Sequence, residues 1–180
     1  SGFQFSCKVT HFDSKTPIFK LLTLTLSMEK LFDITLQNRK ILYGYLNSLP
    51  ESTLFTIPKG FNNNIWWNVA HVAVVQQNLT YGLSGLPLVI PNAWNENYKK
   101  GTKPGENPTK AQVEQLKKLL FELPERTKAD YEKGIFKTYS SYMTSAKVEL
   151  SSIEDGITFN VFHEALHLGS ILALIRANNR

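Results

Sequence analysis

Two histidines near the carboxyl end of the chain, His163 and His167, have the types and spacing best suited to chemistry. A separation of four residues places both imidazoles on one face of a helix, one turn apart, where they can bind one metal ion. Their neighbours at helical spacing are apolar, and an unpartnered polar group in such surroundings costs about 1–3 kcal/mol. The pair therefore needs a partner, which is either a metal ion or a buried hydrogen-bond network.

A third histidine, His71, lies in an equally apolar helical pattern earlier in the chain. Asn68 precedes His71 by about one helical turn, as Asn160 precedes His163. If these two polar stripes face each other, three imidazoles can hold Zn²⁺, Ni²⁺ or a similar ion, with positions left open for water and substrate. The sequence thus predicts a three-histidine metal site. The alternative is that each histidine is a hydrogen-bonded core residue or a surface residue.

The same segment has the HExxH pattern of zinc metalloproteases, in which the glutamate, here Glu164, is the general base. Two observations weaken this alternative. Ala173 stands where one version of the motif has its third histidine, and none of the 13 residues after His167 is acidic. Because Glu164 lies about 100° round the helix from a ligand, it can also support that ligand or form a salt bridge.

Four helices must position these residues, because apolar side chains recur every three or four positions in four stretches. The predicted helices span residues 28–49, 63–82, 110–122 with an extension to 132, and 151–177. Little strand pattern follows residue 28. The sequence therefore predicts an all-α fold, an antiparallel four-helix bundle, in which facing side chains build a site in the interior.

Local signals mark where these helices begin and end. Thr109 with Gln112 and Ser151 with Glu154 have the spacing of capping boxes at the starts of the last two helices. Residues 84–108 contain four prolines and three glycines, so a long loop is expected between the second and third helices. The segment before the last helix is polar, with short strand character.

Residues 1–27 have a different pattern and are predicted to be an extension of the bundle domain, which spans 28–180. Apolar and polar residues alternate from Phe3 to Thr10, as in a half-buried strand, so an additional N-terminal extended segment is expected. Met28 opens the helical pattern. We interpret it as the natural start, with the preceding residues as non-native or upstream coding.

The composition excludes several classes of function. The chain has 20 Lys and Arg against 15 Asp and Glu, a net charge of +5, which marks out no nucleic-acid-binding face. The basic run 98–103 is typical of a solvated loop. A single cysteine excludes a disulfide framework, and no apolar run reaches the roughly 18 residues of a membrane span. We expect a cytoplasmic protein with neither nucleic acid nor membrane as a partner.

Two segments carry a family resemblance. Asn64–His71, followed by Tyr81–Pro87, resembles the second helix of DinB-like proteins, and Phe162–Gly169 resembles their fourth helix. The resemblance covers roughly residues 28–178. It implies a DinB/YfiT-like bundle whose ion is held by one histidine of the second helix and two of the fourth, here His71, His163 and His167.

The family resemblance also implies an activity. Similar members are described as metal-dependent hydrolases, and related bundles as transferases or isomerases that use low-molecular-weight thiols. The expected function is Lewis-acid chemistry on a small molecule, with a non-catalytic metal-binding or structural bundle as the alternative. Glu164 is the candidate catalytic residue, and Asn68, Asn160, Trp67 and Tyr81 are candidates for the pocket or for supporting the ligands. A homodimer is expected because such bundles often pair through helix faces.

Overall fold

The computed structural model describes the backbone of residues 17–178 and the side chains of residues 28–178. Four long helices build the bundle, and the all-α fold class is confirmed. The helices are α1 (Pro17–Ser48), α2 (Glu51–Phe55), α3 (Ile65–Gln77, continued by a π-helical turn at Asn78–Gly82), α4 (Asn92–Tyr98), α5 (Lys110–Glu132) and α6 (Ile153–Asn178). A short hairpin lies between α5 and α6. It pairs two antiparallel strands of two residues each, β1 (Tyr142–Met143) and β2 (Glu149–Leu150).

Helices α1 and α6 run in the same direction. Phe32, in the first half of α1, shares an apolar cluster with Ile153 at the start of α6. At the other end of the bundle, the Asn178 side chain in the last turn of α6 donates to the carbonyl of Thr53, just beyond α1. Helix α6 therefore runs alongside α1 in the same direction, from about Met28 of α1 to its carboxyl end.

Helices α3 and α5 run in the opposite direction. Along α5, the ring of Phe121 at its middle lies 5.3 Å from the ring of Tyr43, and the ring of Tyr131 near its end lies 6.1 Å from the ring of Phe32, which is earlier in α1. In α3, Asn68 near the start contacts His167 in the second half of α6, whereas Leu79, just after α3, lies beside Gly156 near the start of α6. Because α3 and α5 both run opposite to α1 and α6, the connection at 83–109 must return along the whole bundle. Its length follows from this crossover. The predicted antiparallel packing holds for α1 with α5 and for α3 with α6.

The crossover is anchored to α3 by aromatic side chains of α4, a helix that the sequence pattern did not predict. The rings of Trp94 and Tyr98 each lie 6.2 Å from the ring of Trp66. The Trp66 Nε1–H also donates to the Tyr98 hydroxyl at 2.9 Å. Since every residue of α3 except Val75 is buried, α4 and the crossover cover a face that would otherwise be exposed.

Two capping predictions have different outcomes. The capping box of Thr109 with Gln112 at the start of α5 is confirmed. At α6 the cap lies one residue later than predicted, because the Asp155 N–H donates to Ser152 Oγ at 3.1 Å and the Asp155 carboxylate accepts from the Ser152 N–H. Glu154 instead accepts a hydrogen bond from a tyrosine of α5.

The start of the first helix also differs from its prediction. Helix α1 begins at Pro17 rather than Met28, because the apolar pattern of residues 18–26 continues the helix without a break. The strand predicted from Phe3 to Thr10 lies outside the described residues. The division of the chain into 1–27 and 28–180 stays a prediction.

Helix α6 is the one helix in the described part of the chain that is long and apolar enough, by length and composition, to cross a membrane. It carries the fully buried Glu164, which forms an ion pair with Arg39 of α1, and it packs along both α1 and α3. These interactions make α6 an integral helix of the bundle.

Candidate metal centre

The three histidines predicted as metal ligands come together between α3 and α6. Their ligand atoms lie within 4.8 Å of one another, and the Nε2 atoms of His163 and His167 are 3.2 Å apart. Two nitrogens bound at 2.0–2.1 Å to one tetrahedral zinc ion would be about 3.3 Å apart. The cluster therefore has the size of a site for one divalent ion, with His71 as the third ligand.

The ring of His71 is held from two sides. Its Nδ1 lies 2.6 Å from the carbonyl oxygen of Tyr98, and because a carbonyl only accepts, Nδ1 must carry the proton. The indole of Trp67 stacks on the imidazole, with ring centroids 4.5 Å apart and planes 14° from parallel. The unprotonated Nε2 of His71 is thereby presented to the other two histidines.

His167 is oriented by Asn68, which lies on the facing helix α3, about one turn before His71. Asn68 Oδ1 lies 2.7 Å from His167 Nδ1, while Asn68 Nδ2 donates to the Asn64 carbonyl at 2.7 Å. The second bond fixes which end of the amide is the acceptor, so the proton of His167 lies on Nδ1. Its Nε2 then has a free lone pair, which is the arrangement that metal-binding histidines need.

His163 has the least support of the three. Its Nδ1 is buried and has no hydrogen-bond partner in the described part of the chain. Because the Nε2 of His167 carries a lone pair, the metal-free contact of 3.2 Å requires a proton on the Nε2 of His163. A cation between the two nitrogens replaces that proton, so this pair fits a metal ion.

All three imidazoles favour the neutral form. Burial lowers the pKa of His71 and lowers that of His167 to about 4, with a smaller contribution to the latter from the neighbouring charge of His71. Burial, followed by the charges of the other two histidines and of Arg39, lowers the pKa of His163 to about 2. Neutral imidazole is the metal-binding form.

Glu164 points away from the histidines although it lies between them in sequence. Its Oε1 accepts from Arg39 Nη2 at 2.7 Å and from Arg39 Nε at 3.1 Å. Asn160 donates to the same oxygen at 2.8 Å, and Arg39 also donates to Gln76 of α3. Glu164 and Arg39 are both fully buried. This ion pair ties α1, α3 and α6 together directly behind the metal ligands.

A cavity of about 500 Å³ opens beside the cluster, with His71 and His163 in its wall. Its other lining residues come from α3 and its π-helical turn, the crossover, the hairpin and α6. They are Val75, Asn78, Leu79, Leu83, Lys99, Lys100, Tyr142, Thr144, Ser145, Ala146, Phe159, Phe162 and Leu166. The cavity has the volume of a small-molecule site.

A family model described as the DinB superfamily matches residues 34–171, a stretch that contains the three histidines of the site, all of α3 and α5, and parts of α1 and α6. The chain belongs to the DinB superfamily. A comparison with curated proteins returns no match. Membership and the histidine cluster together are compatible with metal binding.

The residues predicted for the pocket have different positions in this DinB-superfamily chain. Asn68 and Trp67 contact ligand histidines but do not line the cavity. Asn160 is bound to Glu164, away from the cluster. Tyr81 is also away from the cavity, since its hydroxyl donates to Asp130. Burial and this hydrogen bond to a carboxylate raise the pKa of Tyr81.

Several residues that shape the DinB site were not predicted. The Tyr98 carbonyl orients His71, and Thr102 accepts from Trp67 Nε1 at 3.1 Å. Lys99 and Lys100, interpreted above as part of a solvated loop, line the cavity. These residues lie in the crossover, which has no apolar periodicity. Their only signal in the sequence is the local basic run.

Proposed function

We propose that this DinB-superfamily protein binds a divalent ion, zinc or nickel, through His71, His163 and His167, and acts on a small molecule as a hydrolase or thiol-dependent transferase. One observation carries the proposal. Two of the three imidazoles have Nδ1 bound to an acceptor, so their Nε2 lone pairs converge beside a cavity of about 500 Å³. A cytoplasmic location is part of the proposal. The homodimer stays a prediction, which sedimentation of the purified protein tests directly.

The protein residues contribute positioning and shielding. When bound, a divalent ion supplies Lewis-acid chemistry that lowers the pKa of water or of a substrate thiol. Asn68 and the Tyr98 carbonyl hold two imidazoles in the metal-binding tautomer. Trp67 covers one face of His71 and keeps water from it. The apolar wall of the cavity binds the body of the substrate by burying its surface.

In this proposal Glu164 is a positioning residue and not the general base predicted from the HExxH pattern. Its carboxylate is fully buried and ion-paired with Arg39, and Glu164 does not line the cavity. A general base must come within hydrogen-bond reach of the proton that it removes. The metalloprotease alternative therefore gains no support from the position of Glu164.

The metal content of the purified protein tests the proposal. We expect about one zinc or nickel ion per chain by plasma mass spectrometry, and its loss in His163→Ala because two histidines alone do not hold the ion. Leu172→Ala, an exposed position on the same helix, is the matched control and keeps the metal. The proposal would be contradicted by wild-type protein that is metal-free and takes up neither added Zn²⁺ nor Ni²⁺.

A second measurement separates catalysis from a non-catalytic metal site. A catalytic ion keeps an open position, whereas a structural ion is closed by a fourth protein ligand. Replacing the ion with Co²⁺ gives a visible spectrum that responds to azide or to a thiol only if a position is exchangeable. An unresponsive spectrum favours the non-catalytic bundle.

A further inference from the structure

The cavity beside the histidines is apolar over most of its wall. Helix α3 contributes Val75, its π-helical turn Leu79, and the first residue of the crossover Leu83. The facing wall on α6 is formed by aromatic and aliphatic side chains, of which Phe162 and Leu166 are about half exposed to solvent. A bundle in water gains nothing from presenting these side chains to an open cavity. They are suited to bury a hydrocarbon body of roughly matching width.

The charged groups in the wall of the cavity are both positive. Lys99 and Lys100 line the cavity, and no Asp or Glu does so in the part of the chain that the structure describes. Lys99 forms an exposed ion pair with Glu96 at 2.6 Å, which is worth little in water. Lys100 has no carboxylate within ion-pair distance among the described side chains. Its ammonium group is available to an anionic ligand.

These cations are fixed near the histidine cluster by the covalent chain. They follow directly after Tyr98, whose carbonyl accepts the hydrogen bond from His71 and whose hydroxyl accepts one from Trp66. Thr144 of the hairpin also lines the cavity. Its Oγ accepts from the Val148 N–H, so its own hydroxyl proton is free to be donated to a ligand. The wall of a mostly apolar cavity thus contains two cations and a hydroxyl donor.

We infer that the ligand of this cavity is a small amphipathic carboxylate. Its hydrocarbon body lies between Leu79 and Phe162, and its carboxylate lies against Lys99 and Lys100. The inference rests on the proposed function for the reaction at the histidines. Recognition of the ligand itself depends on the lysines and the apolar wall, so it is measurable without a metal ion.

The test uses calorimetric titration of the full chain, freed of metal, with decanoate, octanoate and decan-1-ol. We expect decanoate to bind at least about tenfold more tightly than decan-1-ol, because only decanoate pairs with the ammonium groups. Octanoate should bind about tenfold more weakly than decanoate, since each buried methylene is worth three- to fourfold in affinity.

Paired lysine variants show whether the cavity makes this distinction. Lys99→Gln/Lys100→Gln should bind decanoate and decan-1-ol equally. Lys40→Gln/Lys110→Gln removes the same charge from two exposed lysines that do not line the cavity, and it should keep the preference of the wild type. All four positions are at least partly exposed, so neither variant threatens the fold, and circular dichroism confirms that both are folded.

Four outcomes would overturn the inference, three of them in binding to the metal-free protein. These are the absence of decanoate binding, equal affinity for decanoate and decan-1-ol in the wild type, and a preference that survives in Lys99→Gln/Lys100→Gln. Carboxylate binding that appears only after zinc is added also contradicts it, because the ion and not the lysines then holds the anion. The metal content of the protein tests the proposed metal site, and titration of the metal-free protein tests the ligand class. The two proposals can therefore fail independently.

Discussion

The three histidines differ in how firmly their metal-binding tautomer is fixed, and the difference lies in one hydrogen bond each. His71 donates to a backbone carbonyl, which no side-chain substitution removes. His163 has no partner for Nδ1 in the described residues. His167 depends on the amide oxygen of Asn68, which is itself held by the Asn64 carbonyl. Of these supports, Asn68 is the one that mutation tests cleanly.

We expect Asn68→Ala to lower zinc affinity about 10–100-fold, because His167 loses the acceptor that orients its ring and keeps the proton on Nδ1. Competition with a chromogenic chelator measures the change. Ser170→Ala, at an exposed position about one turn after His167 on the same helix, is the control and should hold zinc within a few-fold of the wild type. Wild-type affinity in Asn68→Ala would show that Asn68 does not set the tautomer.

At the scale of elements, a close approach between α6 and the π-helical turn after α3 places the histidines opposite each other. The approach depends on Gly156. A Cβ at this position would lie 2.7 Å from the Leu79 carbonyl oxygen and 2.5 Å from the Tyr139 hydroxyl, which donates to that same carbonyl at 2.9 Å. Backbone cannot move aside as a flexible side chain can.

We expect Gly156→Ala to destabilise the protein by about 1–3 kcal/mol, because α6 must shift outward or lose the Tyr139 hydrogen bond. Gly169→Ala is the matched control on the same helix. Nothing lies within 4 Å of a Cβ there, so alanine should be neutral or stabilise the helix by about 0.5–1 kcal/mol. Urea unfolding measures both, and an equal effect of the two substitutions would contradict the close-approach argument.

The elements also show what the sequence could predict. Helices α3 and α6 and their histidines are predictable, because apolar periodicity and the four-residue spacing are properties of a single helix. The path of the crossover is not predictable from a single segment. It is set by the need to bring the chain back to the end of the bundle where α3 begins, so that α5 can run in the same direction as α3. Tyr98, Lys99 and Thr102 therefore gained their roles from tertiary packing. The same holds for Glu164, whose partner Arg39 is 125 residues away.

At the scale of the whole molecule, the metal-free protein loses stability in acid because its fold keeps one buried and two partly buried imidazoles neutral. An unfolded histidine has a pKa of about 6.5, whereas burial lowers that of His167 to about 4 and that of His163 further. Below pH 6.5 the unfolded state therefore binds more protons than the folded state. This contribution to stability is fully present above that pH and is lost as the pH falls towards the folded values.

We accordingly expect the metal-free protein to lose free energy of unfolding between pH 7 and pH 5, at up to about 1.4 kcal/mol per pH unit for each of the three histidines. Urea unfolding across that range measures the slope. Most carboxylates stay ionised in both states there, so they add little. His167→Gln, which removes one titrating group while leaving a polar side chain, should reduce the slope by about a third. A slope unchanged in His167→Gln would mean that the acid sensitivity arises outside the histidine cluster.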